Sequence, residues 1–120
     1  MAQSQVAGMM NIQIFGTSKC QDTRKTQRYF KERNIKFHFV DLKEKGLSKG
    51  ELNSIKREIA IENLIDTGSR EYLQRNLKYI THDVENELLS HPLLFRTPIV
   101  RSGNKVTVGY CPDTWKGWLQ

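Results

Sequence analysis

The sequence FGTSKCQDTRKT, Phe15–Thr26, marks a strand, a turn and the start of a helix. The five residues that end at Phe15 alternate between polar and apolar, as in a short strand. Residues 16–18 (GTS) predict a turn, and the polar, basic run 23–33 predicts a helix. Cys20 therefore falls where the helix begins. A helix N-terminus offers unpaired N–H groups and the positive end of the dipole, and both favour a thiolate.

The neighbours of Cys20 add to this interpretation. Lys19, Arg24 and Lys25 bring positive charge, and Thr23, one turn later, is placed to donate its hydroxyl to the sulfur. The alternative is that Cys20 is a small buried residue that only fills space. We favour the reactive interpretation, with Cys20 and Thr23 as the catalytic candidates.

Length and composition set broad limits. A chain of 120 residues predicts one domain, and we expect residues 1–10 to form a disordered tail before a single domain, 11–120. The tail lacks the basic and apolar regions of a signal peptide, and no apolar run is long enough to cross a bilayer. We therefore expect a cytoplasmic monomer without membrane contact.

Cysteine usage and charge limit the chemistry further. The two cysteines, Cys20 and Cys111, lie far apart in the sequence and form with the three histidines no recognisable zinc pattern, so we expect no metal. The net charge of +6 favours anionic partners. Basic residues are not clustered with aromatic ones, which argues against direct binding of nucleic acid. Cys111 is interpreted as a buried structural thiol, with a resolving role as the alternative.

The remaining chain completes an α/β pattern. Residues 36–40 predict a second strand, and strand–helix–strand over so few residues predicts a parallel pair. Ser48 and Glu51 form a capping box for a helix to about Glu58. We expect further helices over 70–77, capped by Ser69, and after Thr81. Strands over 95–101 and 106–108, a hairpin turn at 102–105 and a final helix over 113–119 follow.

The motifs carry a family resemblance. Gly16–Cys20 (GTSKC) after the first strand and His91–Val100 (HPLLFRTPIV) before a hairpin resemble the arsenate reductase C and Spx family of bacterial proteins. The likeness spans residues 11–120. It implies a thioredoxin-like fold: a four-stranded mixed sheet (β-α-β … β-β-α) with a helical insertion between strands 2 and 3. It also implies that Cys20 is the redox cysteine and that a cis Thr97–Pro98 bond lies beside its sulfur.

The same resemblance implies a glutaredoxin-like thiol oxidoreductase without a bound cofactor. Its single redox cysteine would form mixed disulfides with glutathione, glutaredoxin or another protein thiol. Two alternatives stay open: a true arsenate reductase, and an Spx-like module that docks on RNA polymerase without catalysis. Thr23 stands where Spx has its second cysteine, so an internal Cys-x-x-Cys disulfide cannot form.

Candidate substrate-binding residues follow from the same comparison. Arsenate reductases of this family carry an arginine at the position of Thr97, and another at that of Pro112. We therefore expect little arsenate reduction, unless other arginines replace the missing ones. The candidates for contact with substrate are Lys19, Arg24, Arg75, Arg96, Thr97 and Pro98.

Overall fold

We describe the protein from a computed structural model, in which residues 11–77 and 83–119 are described. The expected tail, residues 1–10, lies outside these ranges. Within them, no helix has the length and apolar character needed to cross a membrane.

Four strands form one mixed sheet, as the sequence predicted. They are β1 (Ile12–Gly16), β2 (Phe37–Asp41), β3 (Ile99–Ser102) and β4 (Lys105–Val108), in the order β2-β1-β3-β4. The β1 and β2 strands are parallel, whereas β3 is antiparallel to both β1 and β4. The first strand, which precedes the cysteine, therefore lies in the interior of the sheet.

Helices connect and cover the strands. Helix α1 (Gln21–Glu32) links the parallel pair, and α5 (Pro112–Trp118) follows the hairpin. Between β2 and β3 lies the helical insertion, which contains α2 (Lys49–Lys56), α3 (Arg70–Gln74) and α4 (Val84–Ser90). The short 3₁₀ turns Ile61–Asn63 and Pro92–Leu94 also belong to this insertion.

The starts of these helices follow their side-chain caps. Ser48 and Glu51 form the predicted capping box, and the Ser69 hydroxyl accepts the Tyr72 N–H. The last insertion helix was predicted to start after Thr81, a residue outside the described ranges. It begins instead at Val84, where the Asp83 carboxylate caps the helix by accepting backbone N–H groups.

The third strand is shorter than predicted, because its first residues pair elsewhere. The Arg96 N–H donates to the Leu64 carbonyl in the insertion, at 2.7 Å, and Phe95 forms an isolated bridge with Ile65. Pro98 has no N–H to donate. Regular pairing with β1 therefore begins only at Ile99.

Hydrophobic residues cover both faces of the sheet, because successive strand residues point to opposite sides. Phe15 packs with residues of the helical insertion such as Leu52 and Leu88. Ile14 packs on the other side with Phe30 of α1 and Trp115 of α5. The two layers hold the end of β1, and therefore the start of α1, in a defined place.

Candidate functional site

Cys20 is the N-cap residue of α1, where the chain turns out of the sheet. Its N–H donates to the Thr17 carbonyl and its own carbonyl accepts the Arg24 N–H, each at 3.1 Å. The Cys20 side chain makes no capping hydrogen bond within the described chain. The half-buried sulfur is thus free to form contacts with residues outside α1.

The sulfur faces the segment just before β3. In its thiol form, Sγ of Cys20 donates to the Thr97 carbonyl oxygen at 3.7 Å. The peptide bond between Thr97 and the buried Pro98 is cis. Residues 77 positions apart in the sequence therefore meet at this sulfur.

Two opposing effects act on the ionisation of Cys20. Burial raises the pKa of the thiol, because it penalises the thiolate. The hydroxyls of Thr23 and Thr97, and the backbone N–H groups of Thr23 and Asp22, lower this pKa, because these nearby donors favour the charged form of the sulfur. Together they outweigh burial and hold the pKa of Cys20 below that of an ordinary cysteine. Fixed donors, and not the neighbouring cations that the sequence suggested, cause this lowering.

Thr23 is held against the sulfur by close packing. Its side chain is fully buried, and its hydroxyl has no hydrogen-bond partner among the described residues, so it is free to donate to a thiolate at Cys20. Gly16, the last residue of β1, faces it: a Cβ on Gly16 would lie 2.4 Å from Oγ1 of Thr23. Sequence reasoning assigned Gly16 only to the turn. A glycine in a strand commonly marks a place where another group comes close to the backbone, so the sequence alone could have indicated this contact.

The two cations beside Cys20 lie at the surface. Arg24 folds back over the turn, and its Nη1 donates to the Ser18 carbonyl at 2.7 Å. The Lys19 side chain is exposed. Arg24 therefore braces the loop that carries Cys20, whereas Lys19 contributes charge near the loop.

The two arginines suggested for oxyanion binding have other surroundings. Arg75 donates from Nη2 to a Glu87 carboxylate oxygen at 3.0 Å within the helical insertion. Arg96 is exposed. The structure brings together Cys20, Thr23, Thr97 and Pro98, whereas the side chain of Arg75 pairs within the insertion and that of Arg96 is exposed to solvent.

Cys111 also stands at a helix start, as the N-cap residue of α5. Its Sγ donates to the Val108 carbonyl at 3.4 Å, and burial raises the pKa of the thiol. Both cysteines are free thiols. Across residues 11–77 and 83–119, no three His, Cys, Asp or Glu side chains are grouped to hold a metal ion.

Comparisons with known proteins agree with this fold and indicate a family. A sequence model of the ArsC family matches residues 15–118. The uncharacterized protein YusI of Bacillus subtilis is 27% identical over 114 residues, which cover 89% of this chain and 97% of YusI. The global transcriptional regulator Spx 2 of Oceanobacillus iheyensis is 29% identical, over 92% of this chain and 84% of the regulator.

Among solved structures, the arsenate reductase from Vibrio cholerae superimposes with a TM-score of 0.74 at 20% identity. The match covers 88% of this chain and 94% of that protein. At that identity the likeness speaks for the fold alone, which is the mixed sheet and helices described above.

Proposed function

The chain belongs to the ArsC family, and from this premise we propose that it is a thiol oxidoreductase with Cys20 as its single redox-active residue. The observation that carries the proposal is the set of donors around one sulfur. The sulfur lies at the N-cap of α1, beside the fully buried Thr23 and within 3.7 Å of the Thr97 carbonyl oxygen, and the hydroxyls of both threonines lower its pKa. Such an arrangement favours the nucleophilic thiolate at neutral pH.

The reaction proceeds by two thiol–disulfide exchanges. Cys20 loses its proton to solvent and attacks one sulfur of a disulfide R–S–S–R′, which forms the mixed disulfide Cys20–S–S–R and releases R′–S⁻. A second thiolate, from glutathione or from a protein thiol such as that of glutaredoxin, then attacks the R sulfur. This step releases the Cys20 thiolate and forms a new disulfide. The external thiol supplies the electrons, so no bound cofactor is required.

The surrounding residues have distinct roles in this scheme. Thr23 and Thr97 hold the thiolate and stabilise it again when it leaves the mixed disulfide. Thr97 and Pro98 form the wall against which the substrate lies. Arg24 orders the loop through Ser18, and Lys19 adds positive charge that attracts anionic substrates.

Arsenate reduction is less well supported than disulfide exchange. Binding an oxyanion firmly calls for bidentate arginines. Thr97 occupies a position where the family's arsenate reductases carry one, and Arg75 is already paired with Glu87. We propose that turnover with arsenate and glutathione stays far below that of a dedicated reductase, and that Thr97→Arg raises it.

A regulatory role is the second candidate, and the match to Spx 2 favours it. In that case the chain would dock on RNA polymerase, and Cys20 would be dispensable for binding. Purification of RNA polymerase together with the wild-type protein and with Cys20→Ser tests this role.

The decisive experiment is intact mass spectrometry after treatment with diamide and glutathione. We expect one glutathione on Cys20, removable by glutaredoxin or dithiothreitol. No adduct on Cys20 would overturn the proposal. An internal Cys20–Cys111 disulfide would change the mechanism to one in which Cys111 resolves the mixed disulfide.

A further inference from the structure

The positive charge of the protein is concentrated on one helix. Residues 19–36, which comprise α1 and its flanks, contain seven lysines and arginines and two carboxylates, whereas the whole chain has a net charge of +6. In β2 and the insertion, residues 37–98, nine cations are balanced by ten carboxylates. The basic character of the molecule is therefore mainly a property of α1, and such a one-sided field attracts an anionic partner to that side.

A groove of about 430 Å³ runs along the same helix, between α1 and the segment that leads from β4 into α5. The wall formed by α1 contains Lys25, Arg28 and Glu32, and the opposite wall contains Tyr110 and Pro112. Charged groups on one side of the groove thus face an aromatic ring and a proline on the other.

Internal contacts fix the floor of this groove. The Tyr29 hydroxyl donates to the Pro112 carbonyl at 3.3 Å, and the Tyr29 ring packs against Trp115 with 5.3 Å between ring centres. The Arg33 guanidinium stacks 3.7 Å from the centre of the Tyr29 ring and donates to the Tyr29 carbonyl at 3.0 Å. The two walls are therefore held together by the protein itself, and the Arg33 side chain is already engaged.

The other charged groups of the groove are available to an external partner. Lys25 and Arg28 are exposed and have no carboxylate partner among the residues that the structure describes. Glu32 is exposed too, and none of the ion pairs recorded within the described ranges includes it. The Tyr110 side chain is 41% exposed, and Nζ of Lys25 lies 5.8 Å from the centre of its ring. Two unpaired cations therefore lie beside an accessible aromatic ring.

The spacing of these charges matches a second helix. Lys25, Arg28 and Glu32 are three and four residues apart, so they lie along one face of α1 with about 5–6 Å between neighbours. Carboxylates three or four residues apart on a partner's helix have the same spacing, so that helix can pair with both cations at once. The row extends over about 10 Å, or two helical turns.

We propose that this groove is the docking site for an acidic, amphipathic helix of a partner protein. The carboxylates of that helix pair with Lys25 and Arg28, and one of its apolar side chains packs on Tyr110 and Pro112. Cys20 is not among the residues that line the groove, so this docking goes beyond the proposed redox function and does not depend on it.

Glu32 favours a helix over a nucleic acid as the occupant. A phosphate backbone carries a negative charge at every nucleotide, so a strand that follows the row would meet the Glu32 carboxylate after the two cations. A protein helix can place a neutral or basic residue opposite Glu32 and keep its carboxylates opposite Lys25 and Arg28.

Two peptide isomers test whether the arrangement of charges matters. The probe is an acetylated and amidated alanine-based peptide of about 18 residues, long enough to form a helix in water. It carries glutamates three and four residues apart on one face, beside one leucine. The isomer has the same composition, with the glutamates distributed around the helix. Fluorescence anisotropy at low salt should show the one-faced peptide binding roughly threefold tighter, because it gains one or two additional ion pairs. Equal affinities, or no binding of either peptide, would overturn the inference.

Charge reversal tests the position of the site. Lys25→Glu/Arg28→Glu should weaken binding of the one-faced peptide about tenfold, because two attractive contacts become repulsive. A peptide with lysines in place of the glutamates should bind this variant more tightly than it binds the wild type. The matched control is Lys43→Glu/Lys105→Glu, which changes two exposed lysines outside the groove and alters the net charge equally. An equal loss of affinity in the control would overturn the groove as the site.

Tyr110→Ala tests the aromatic wall without a change in charge. It should weaken binding of the one-faced peptide about fivefold, as truncation of an interfacial tyrosine commonly does. An unchanged affinity would reduce the interaction to charge alone and overturn docking in the groove.

A single strand of about 12 thymidine nucleotides is the competing ligand. Binding of this strand that is tighter than that of the one-faced peptide, and that is lost in Lys25→Glu/Arg28→Glu, would overturn the protein partner in favour of a nucleic acid. All variants are compared in a Cys20→Ser background, which excludes thiol exchange at that residue. Failure of the docking experiments would therefore leave the proposed function intact, and failure of Cys20 to exchange would leave the docking site intact.

Discussion

Cys20 and Cys111 occupy the same kind of position and have opposite chemistry. Each is the N-cap residue of a helix, each is half-buried, and burial raises the pKa of each thiol. The hydroxyls of Thr23 and Thr97 favour the thiolate of Cys20, and with the first N–H groups of α1 they bring its pKa below the ordinary value. Each thiol donates to a carbonyl oxygen, that of Thr97 for Cys20 and that of Val108 for Cys111, but at Cys111 only burial shifts the pKa. Position at a helix start therefore does not by itself lower the pKa of a thiol here, and the threonine hydroxyls near Cys20 have no counterpart at Cys111.

Replacing each cysteine by serine in turn should give the largest difference in reactivity between the two positions. Cys20→Ser should abolish both rapid alkylation at neutral pH and the glutathione adduct, because the stabilised thiolate is lost. Cys111→Ser should retain both. Intact mass spectrometry after brief treatment with limiting iodoacetamide measures the outcome. Retention of the fast-reacting site in Cys20→Ser would assign the reactivity to Cys111.

The two thiols should also differ in the pH dependence of their alkylation rates. As pH rises through the pKa of each thiol, its thiolate forms and its alkylation rate levels off. Because the pKa of Cys20 is lowered and that of Cys111 is raised, the Cys20 rate should level off at the lower pH. At neutral pH the wild-type ratio should be about tenfold in favour of Cys20. Superimposable pH profiles would remove the distinction.

Gly16→Ala should weaken both the fold and the reactive site. The new methyl group would lie 2.4 Å from the Thr23 hydroxyl oxygen, so the Thr23 side chain must shift from its position beside Cys20. We expect a loss of about 1–3 kcal/mol in the free energy of unfolding, which is typical of overpacking, and slower alkylation of Cys20.

Gly117→Ala is the matched control for that substitution. Gly117 lies in α5, the helix that Cys111 caps, and nothing lies within 4 Å of its added Cβ. It should stabilise the protein by roughly 0.5–1 kcal/mol, because alanine is the better helix former. Urea unfolding measures both variants. Equal effects at the two glycines would show that the contact between Gly16 and Thr23 is unimportant.

Thr23→Val should have the smallest effect, confined to reactivity. It keeps the shape of the side chain and removes one hydroxyl donor, so the pKa of Cys20 should rise. We expect alkylation at neutral pH to slow by roughly threefold, because a more basic thiolate is less abundant but more nucleophilic. Thr26→Val is the control: this buried hydroxyl donates to the Asp22 carbonyl, at 2.7 Å, and not to the sulfur. A similar slowing in both variants would contradict a specific role for Thr23.

Much of the fold was predictable, because local patterns specify it. The alternation that ends at Phe15, the capping box of Ser48 with Glu51 and the turn after Ser102 depend on residues near in sequence. One error came where a distant segment competes for the same backbone groups, and the other from a choice between two neighbouring caps. The segment before β3 looked like a strand, yet the Arg96 N–H pairs with Leu64 in the insertion. Asp83 caps α4, although Thr81 also has a capping side chain.

The sequence by itself determined that Cys20 stands at a helix start after a strand and that Thr23 follows one turn later. Both statements depend on helix geometry, which acts over a few residues. Only the tertiary structure decided that Thr97 meets the sulfur and how deeply the sulfur and Thr23 are buried. Thr97 reaches Cys20 because β3 pairs with β1. Thr23 packs closely against Gly16 because the end of β1 lies against α1. The balance between desolvation and hydrogen bonding depends on these long-range contacts, and that balance separates Cys20 from Cys111.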